Sequence, residues 1–134
     1  MQTKILEQIM KHLDLLENVY KISIKIFSSA SRGMIDEVSS ESENRERLIN
    51  ILESVQAQAE ATLNKMSDFT DLELLMIIRS WREDVNYWID KIRNVDSNTT
   101  LLLEQLKEEA TIEIANVYKN KESLKGYNLN SIRK

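Results

Sequence analysis

The sequence contains no cysteine and no proline, and only two glycines, Gly33 and Gly126, in 134 residues. Average usage would place roughly 9 glycines and 7 prolines in a chain this long. β-sandwiches, barrels and doubly wound sheets need many tight turns, and tight turns draw on Gly and Pro for their dihedrals. A phosphate-cradling loop needs clustered glycines, and these two stand far apart. Without cysteine there is no disulfide and no thiolate zinc or redox site. Long apolar runs are also missing. The longest is Leu74-Leu75-Met76-Ile77-Ile78, against roughly 20 residues for a membrane span. Glu7, Lys11, His12 and Asp14 interrupt the first apolar residues, where a secretory signal needs an unbroken core. The expectation is a cytoplasmic protein with no membrane insertion.

What is present is an amphipathic, foldable chain: 42% apolar and 30% charged, with a net charge of −4. That balance disfavours a nucleic-acid partner, since binding by counterion release needs a surplus of Lys and Arg. Charge is uneven along the chain. Residues 96–118 hold Asp96, Glu104, Glu108, Glu109 and Glu113 against Lys107, whereas 119–134 hold Lys119, Lys121, Lys125, Arg133 and Lys134 against Glu122. The pattern reads as a solvated acidic helix face followed by a frayed basic end, or as a detachable basic tail that docks elsewhere.

Apolar residues recur at helical spacing. Positions 6, 9, 13, 16, 20, 24, 27, 31, 34 and 38 form one stripe that only Ser31 breaks, and Ile5, Leu15, Val19, Ile22 and Ile26 widen it. This predicts a first helix over 3–38, about 54 Å long. Gly33 costs it about 1 kcal/mol, so a kink or an early end near Ser31–Gly33 is open. Ser39–Asn44 reads as a polar connector. Ser40 with Glu43 matches a capping box for a second helix over 41–65, striped by Leu48, Leu52, Val55, Ala59, Leu63 and Met66. Thr70 with Glu73 is a second capping box, with Phe69 and Leu74 as its hydrophobic staple.

The third stripe is Leu75, Ile78, Trp81, Val85, Trp88, Ile92 and Val95, predicting a helix over 71–95. It resumes as Leu102, Leu106, Ala110, Ile114 and Val117. Asp96-Ser97-Asn98 either caps a new helix over 98–125 or lies on the face of a continuing one; a break or bend there is favoured. Gly126 is the natural stop, leaving a basic tail over 126–134. The fold class is therefore all-α: an antiparallel bundle of three long helices, the third bent or split near 96–98 into a fourth, in a single domain.

Catalysis needs polar groups converging in a pocket, and no such constellation is visible. His12, the only histidine, cannot build a zinc site alone and lacks the Glu three residues earlier that a di-iron bundle requires. Phosphotransfer at His12 lacks the accompanying Lys and Gly, and Asp14 would repel the phosphoryl group. His12 is expected at the surface or edge of the first helix. No enzyme activity, cofactor or metal is expected.

Several patterns together point to one family. Glu43, Arg45, Leu48, Ile49 and Leu52 resemble the "E-x-R-x-x-L-I-x-x-L" start of the second helix in flagellar export chaperones of the FliT and FlgN type. Ile89, Ile92 and Asp96 are similar to the "I-x-x-I-x-x-x-D" segment of their third helix. The lysine-rich stretch through Lys119, Lys121 and Lys125 to Tyr127 resembles FliT more than FlgN. Trp81 and Trp88 belong to no pattern of that family.

The resemblance implies a cytosolic chaperone, without enzymatic activity, for a late flagellar axial protein, the filament cap or a hook–filament junction protein. It would bind the client's amphipathic C-terminal helix, prevent premature assembly and deliver the client to the export gate. The client helix would lie on Leu75, Ile78, Trp81, Val85, Trp88 and Ile92. Leu102, Leu106, Ile114 and Val117 would form a self-covering C-terminal helix. Tyr127, with Tyr118 second, would dock at the export gate. Against this stand plainer readings: Trp81 and Trp88 as core, the methionines as gap fillers, and the whole chain as a structural or homodimeric helical bundle with no export role.

Overall fold

A computed structural model describes the backbone of residues 2–66 and 71–133 and the side chains of residues 3–66 and 71–116. Three helices follow one another: α1 (Gln2–Ser31), α2 (Ile35–Lys65) and α3 (Leu72–Arg133). The chain divides into two units, residues 1–99 and 100–134. The first holds α1, α2 and the first part of α3. The second holds the remainder of α3.

In the first unit the core runs in two layers. Ile5 and Ile9 of α1 meet Ala59 of α2 and Leu74 of α3, with Leu63, Ile78 and Trp81 packed around them. Further along, Leu16 and Val19 meet Ile92, with Leu48, Leu52, Val85 and Trp88 around them. The pairings show that α2 runs antiparallel to both α1 and α3, as expected of an up-down-up bundle.

The core positions of α1 are Ile5, Ile9, His12, Leu16, Val19, Ser23, Ile26 and Ala30, with Ser29 buried beside the last of them. Their spacing alternates strictly between four and three, the seam of closely packed antiparallel helices. This seam is rotated from the stripe expected at 6, 9, 13, 16, 20, 24, 27, 31, 34 and 38. Two polar seam residues, His12 and Ser23, hid it. Ser23 tolerates burial by donating its hydroxyl to the Val19 carbonyl at 2.7 Å.

The first helix ends at Ser31, not at 38. Gly33 takes φ +71; its N–H donates to the Ala30 carbonyl at 3.0 Å and the Met34 N–H to the Ser29 carbonyl at 2.9 Å. These two bonds are the Schellman pattern, which places glycine at the left-handed position beyond the last turn. With the reversal completed there, α2 starts at Ile35 and takes in Ser39–Asn44. The expected connector and the Ser40–Glu43 capping box therefore lie inside a helix and cap nothing. Asp36 and Glu37 supply negative charge to the first turn of α2. Glu37 also accepts a bond from the Ser29 hydroxyl at 3.0 Å.

Phe69 and Thr70, the expected staple and cap, lie outside the described residues. Among the described residues, Asp71 caps α3. Its carboxylate accepts from the Glu73 N–H at 3.0 Å and the Leu74 N–H at 3.4 Å. The break expected at 96–98 is absent, and so is a separate helix over 98–125: α3 is uninterrupted across these residues. Nor does Gly126 stop it. Asp96 serves a tertiary contact. Arg45 of α2 grips its carboxylate with both terminal nitrogens, at 2.6 and 2.7 Å. In the second unit the Thr111 hydroxyl donates to the Lys107 carbonyl at 2.8 Å, so this threonine spends its polar group within its own helix.

Candidate functional site

An open crevice of about 250 Å³ lies between α2 and α3. Leu63, Ile78, Val85 and Trp81 give it apolar walls, Gln56, Glu60 and Arg82 stand at its edges, and His12 of α1 forms part of its lining. The seam spacing of α1 carries His12 inward to where the other two helices face each other. Only 2% of this residue is exposed, which corrects its expected place at the surface. An exposed phosphate carrier, as phosphotransfer requires, is thereby excluded.

The imidazole is held by Trp81. The indole Nε1–H donates to His12 Nδ1 at 3.1 Å, and the rings meet edge-on, centroids 5.4 Å apart at 85°. Because Nδ1 accepts, the proton of the neutral ring sits on Nε2. That N–H is buried and, among the described residues, makes no well-formed hydrogen bond. Burial pushes the His12 pKa below its ordinary value, opposed in part by hydrogen bonding with the Gln56 side chain and by the charge of the Glu60 carboxylate, both on α2. The ring is therefore a neutral donor with an unused hydrogen.

A second cluster ties α1 to α3. Tyr20 lies against Trp88, centroids 5.6 Å apart. The Lys91 ammonium stands over the rings of Tyr20, Tyr87 and Trp88 at 4.8, 5.0 and 5.5 Å. It donates to the Tyr87 hydroxyl at 3.1 Å, and this bond pushes the Lys91 pKa up.

The residues expected to receive a client helix are dispersed. Ile78, Trp81 and Val85 line the crevice, Trp88 packs on Tyr20, and Ile92 is buried against Leu16 and Val19. Ile92 thus serves the core. Leu75 is exposed, on a different side of α3 from Leu74. Leu102 and Leu106 are half-buried and Ile114 is exposed. Val117, Tyr118 and Tyr127 lie outside the described side chains. Arg45 and Asp96, which belong to the two motifs quoted above, bond to each other, and Leu48, Ile49, Leu52 and Ile92 of the same motifs fall in one core layer. Those motifs record a packing contact.

One surface was not foreseen as distinct. Leu6, Met10, Ile24 and Phe27 of α1 are exposed, Met10 by 65%. They lie about a quarter-turn round the helix from the core seam as two pairs, Leu6 with Met10 and Ile24 with Phe27, about 32 Å from end to end, with half-buried Leu13, Glu17 and Tyr20 between them. The apolar stripe read from the sequence had merged the two faces. No protein-family model matches this chain, and neither does any curated protein or solved structure. Among the described residues no group of His, Asp and Glu is arranged to hold a metal, and no helix is long and apolar enough to cross a membrane.

Proposed function

We propose that this chain is a helix-binding protein that works by association and not by catalysis, as flagellar export chaperones of the FliT and FlgN type do. The observation that carries this reading is the second apolar face of α1. Leu6, Met10, Ile24 and Phe27 stay exposed although the first unit has a complete core of its own. Apolar side chains aligned along a helix outside the core mark an interaction surface. An amphipathic partner helix of about 20 residues matches its length and periodicity, with anchors at i, i+3, i+4 and i+7. Met10 adds an adaptable thioether contact.

In this reading the partner is a late flagellar axial protein, the filament cap or a hook–filament junction protein, held in the cytoplasm through its C-terminal helix. Tyr127, in the basic tail, with Tyr118 second, would address the complex to the export gate. The client face moves from the α3 residues read from the sequence to α1, because Ile92 and Trp88 are engaged in packing.

The same face would equally seat a second copy of the chain, which is the structural or homodimeric alternative. Co-expression with a flagellar cap or junction protein, followed by light scattering, separates the readings. A 1:1 heterodimer is expected. A stable homodimer that captures no axial protein would replace the chaperone reading with the scaffold.

A further inference from the structure

We propose that the crevice between α2 and α3 is a binding site for a small uncharged molecule with an apolar body and one hydrogen-bond acceptor, such as a simple aryl ketone. His12 is 2% exposed, and among the described residues its Nε2–H makes no well-formed hydrogen bond, the Gln56 side chain being the polar group that faces it. A buried donor left unpaired costs about as much as a lost hydrogen bond, so one is retained where something else pairs with it. Trp81 blocks the alternative tautomer by occupying Nδ1 at 3.1 Å, so the imidazole presents a donor and cannot present an acceptor.

The surroundings define the rest of the ligand. Leu63, Ile78, Val85 and the Trp81 ring supply apolar contact. Glu60 on α2 and Arg82 on α3 stand at opposite edges, so the site favours neither sign of charge, and a neutral imidazole adds none. Gln56 of α2 donates to Glu60 at 3.2 Å and also faces the ring; this exposed side chain has to move aside for a ligand to reach Nε2. A cavity of 150 Å³ holds benzene, so the volume of about 250 Å³ here suits a body of about ten heavy atoms. This inference rests on the chemistry of the crevice and needs no protein partner; it stands or falls separately from the helix-binding reading.

The test uses the wild-type chain with three probes of similar size: acetophenone, which carries a neutral acceptor; ethylbenzene, which has none; and benzoate, which is charged. Binding is followed by the His12 Nε2–H resonance in ¹⁵N-histidine-labelled protein and by Trp fluorescence. Acetophenone is expected to bind about tenfold more tightly than ethylbenzene, the worth of one hydrogen bond to an otherwise unpaired donor. It should shift the Nε2–H resonance downfield, and benzoate should bind more weakly. A His12→Phe variant should abolish the tenfold preference, and Ile78→Trp, which fills the crevice from its wall, should abolish binding of all three. Equal affinity for acetophenone and ethylbenzene, tighter binding of benzoate, or no binding of any probe would each overturn the proposal. These comparisons stand on the wild-type protein, so they hold even if a variant fails to fold.

Discussion

Removing the Asp96 carboxylate should cost more stability than a surface ion pair normally carries. Arg45 meets Asp96 through two parallel bonds of 2.6 and 2.7 Å, the fork geometry in which a guanidinium binds a carboxylate most strongly. The two side chains are 23% and 34% exposed, between the limits for which magnitudes are known. Exposed pairs contribute about 0.2–1 kcal/mol, whereas breaking a buried pair costs about 3–5 kcal/mol. Arg45 Nε is itself buried without a partner, so the guanidinium has little else to fall back on. Asp96→Asn should therefore destabilise the chain by about 2 kcal/mol, or roughly 7 °C in Tm at about 2.1 cal/mol/K per residue. Arg45→Met should cost less, because the Asp96 carboxylate it leaves unpaired is the more exposed partner, at 34% against 23%, and keeps more of its hydration. Urea unfolding of both single variants and the double variant, followed by far-UV circular dichroism at pH 7, yields the coupling energy. About 1–1.5 kcal/mol is expected. A coupling below about 0.3 kcal/mol would refute the claim that this contact fastens α2 to α3.

Three further outcomes follow from the packing. Leu16→Ala opens the second core layer and should cost about 2–5 kcal/mol in urea unfolding; a loss under 1 kcal/mol would mean that Leu16, buried in the structure, is not core in solution. Gly33→Ala meets no atom within 4 Å but inherits φ +71, so thermal melting should show a loss of about 1–2 kcal/mol from backbone strain alone; an unchanged melting curve would contradict the Schellman turn. The third concerns pH. His12, the only histidine, has its pKa lowered by burial, with Glu60 and Arg82 the charged groups lining the same crevice. Between its folded value and about 6.5 the unfolded chain binds more protons, so stability should fall as pH drops below about 6.5. His12→Phe should flatten that decline; stability that holds constant or rises between pH 6.5 and 5.5 would contradict a buried neutral imidazole.

The all-α class and the three-helix order were legible in the sequence because apolar spacing and the scarcity of Gly and Pro both force them. The seam of α1 was harder to read. Leu6, Ile24 and Phe27 are apolar yet exposed, while His12 and Ser23 are polar yet buried, so hydropathy alone centred the stripe between the two faces. Local start signals were ambiguous for a physical reason. Ser40 and Glu43 have the spacing of a capping box, but a cap forms only where the chain leaves the helix, and Gly33 had already made the reversal. The same holds at Asp96-Ser97-Asn98. Asp96 carries cap chemistry, but its carboxylate is taken by Arg45, 51 positions earlier in the chain, a partner that local spacing cannot name. The crevice was half legible: Ile78, Trp81 and Val85 were singled out, but as part of a long groove for a client helix. His12, its most informative residue, was missed because a lone histidine carries no positional signal until three helices are assembled around it.

The central claim is that α1 has two apolar faces, one for the core and one for a partner helix. Met10→Lys combined with Ile24→Lys alters only exposed side chains, so folding should be preserved while the second face is charged. Isothermal titration of a filament-cap or junction protein into the wild-type chain and into this double variant tests the claim most directly. A 1:1 complex that weakens by a hundredfold or more in the variant, at unchanged helical content, is the expected result, since two buried anchors each contribute at least about 1.4 kcal/mol. Equal affinity for wild type and variant would contradict it.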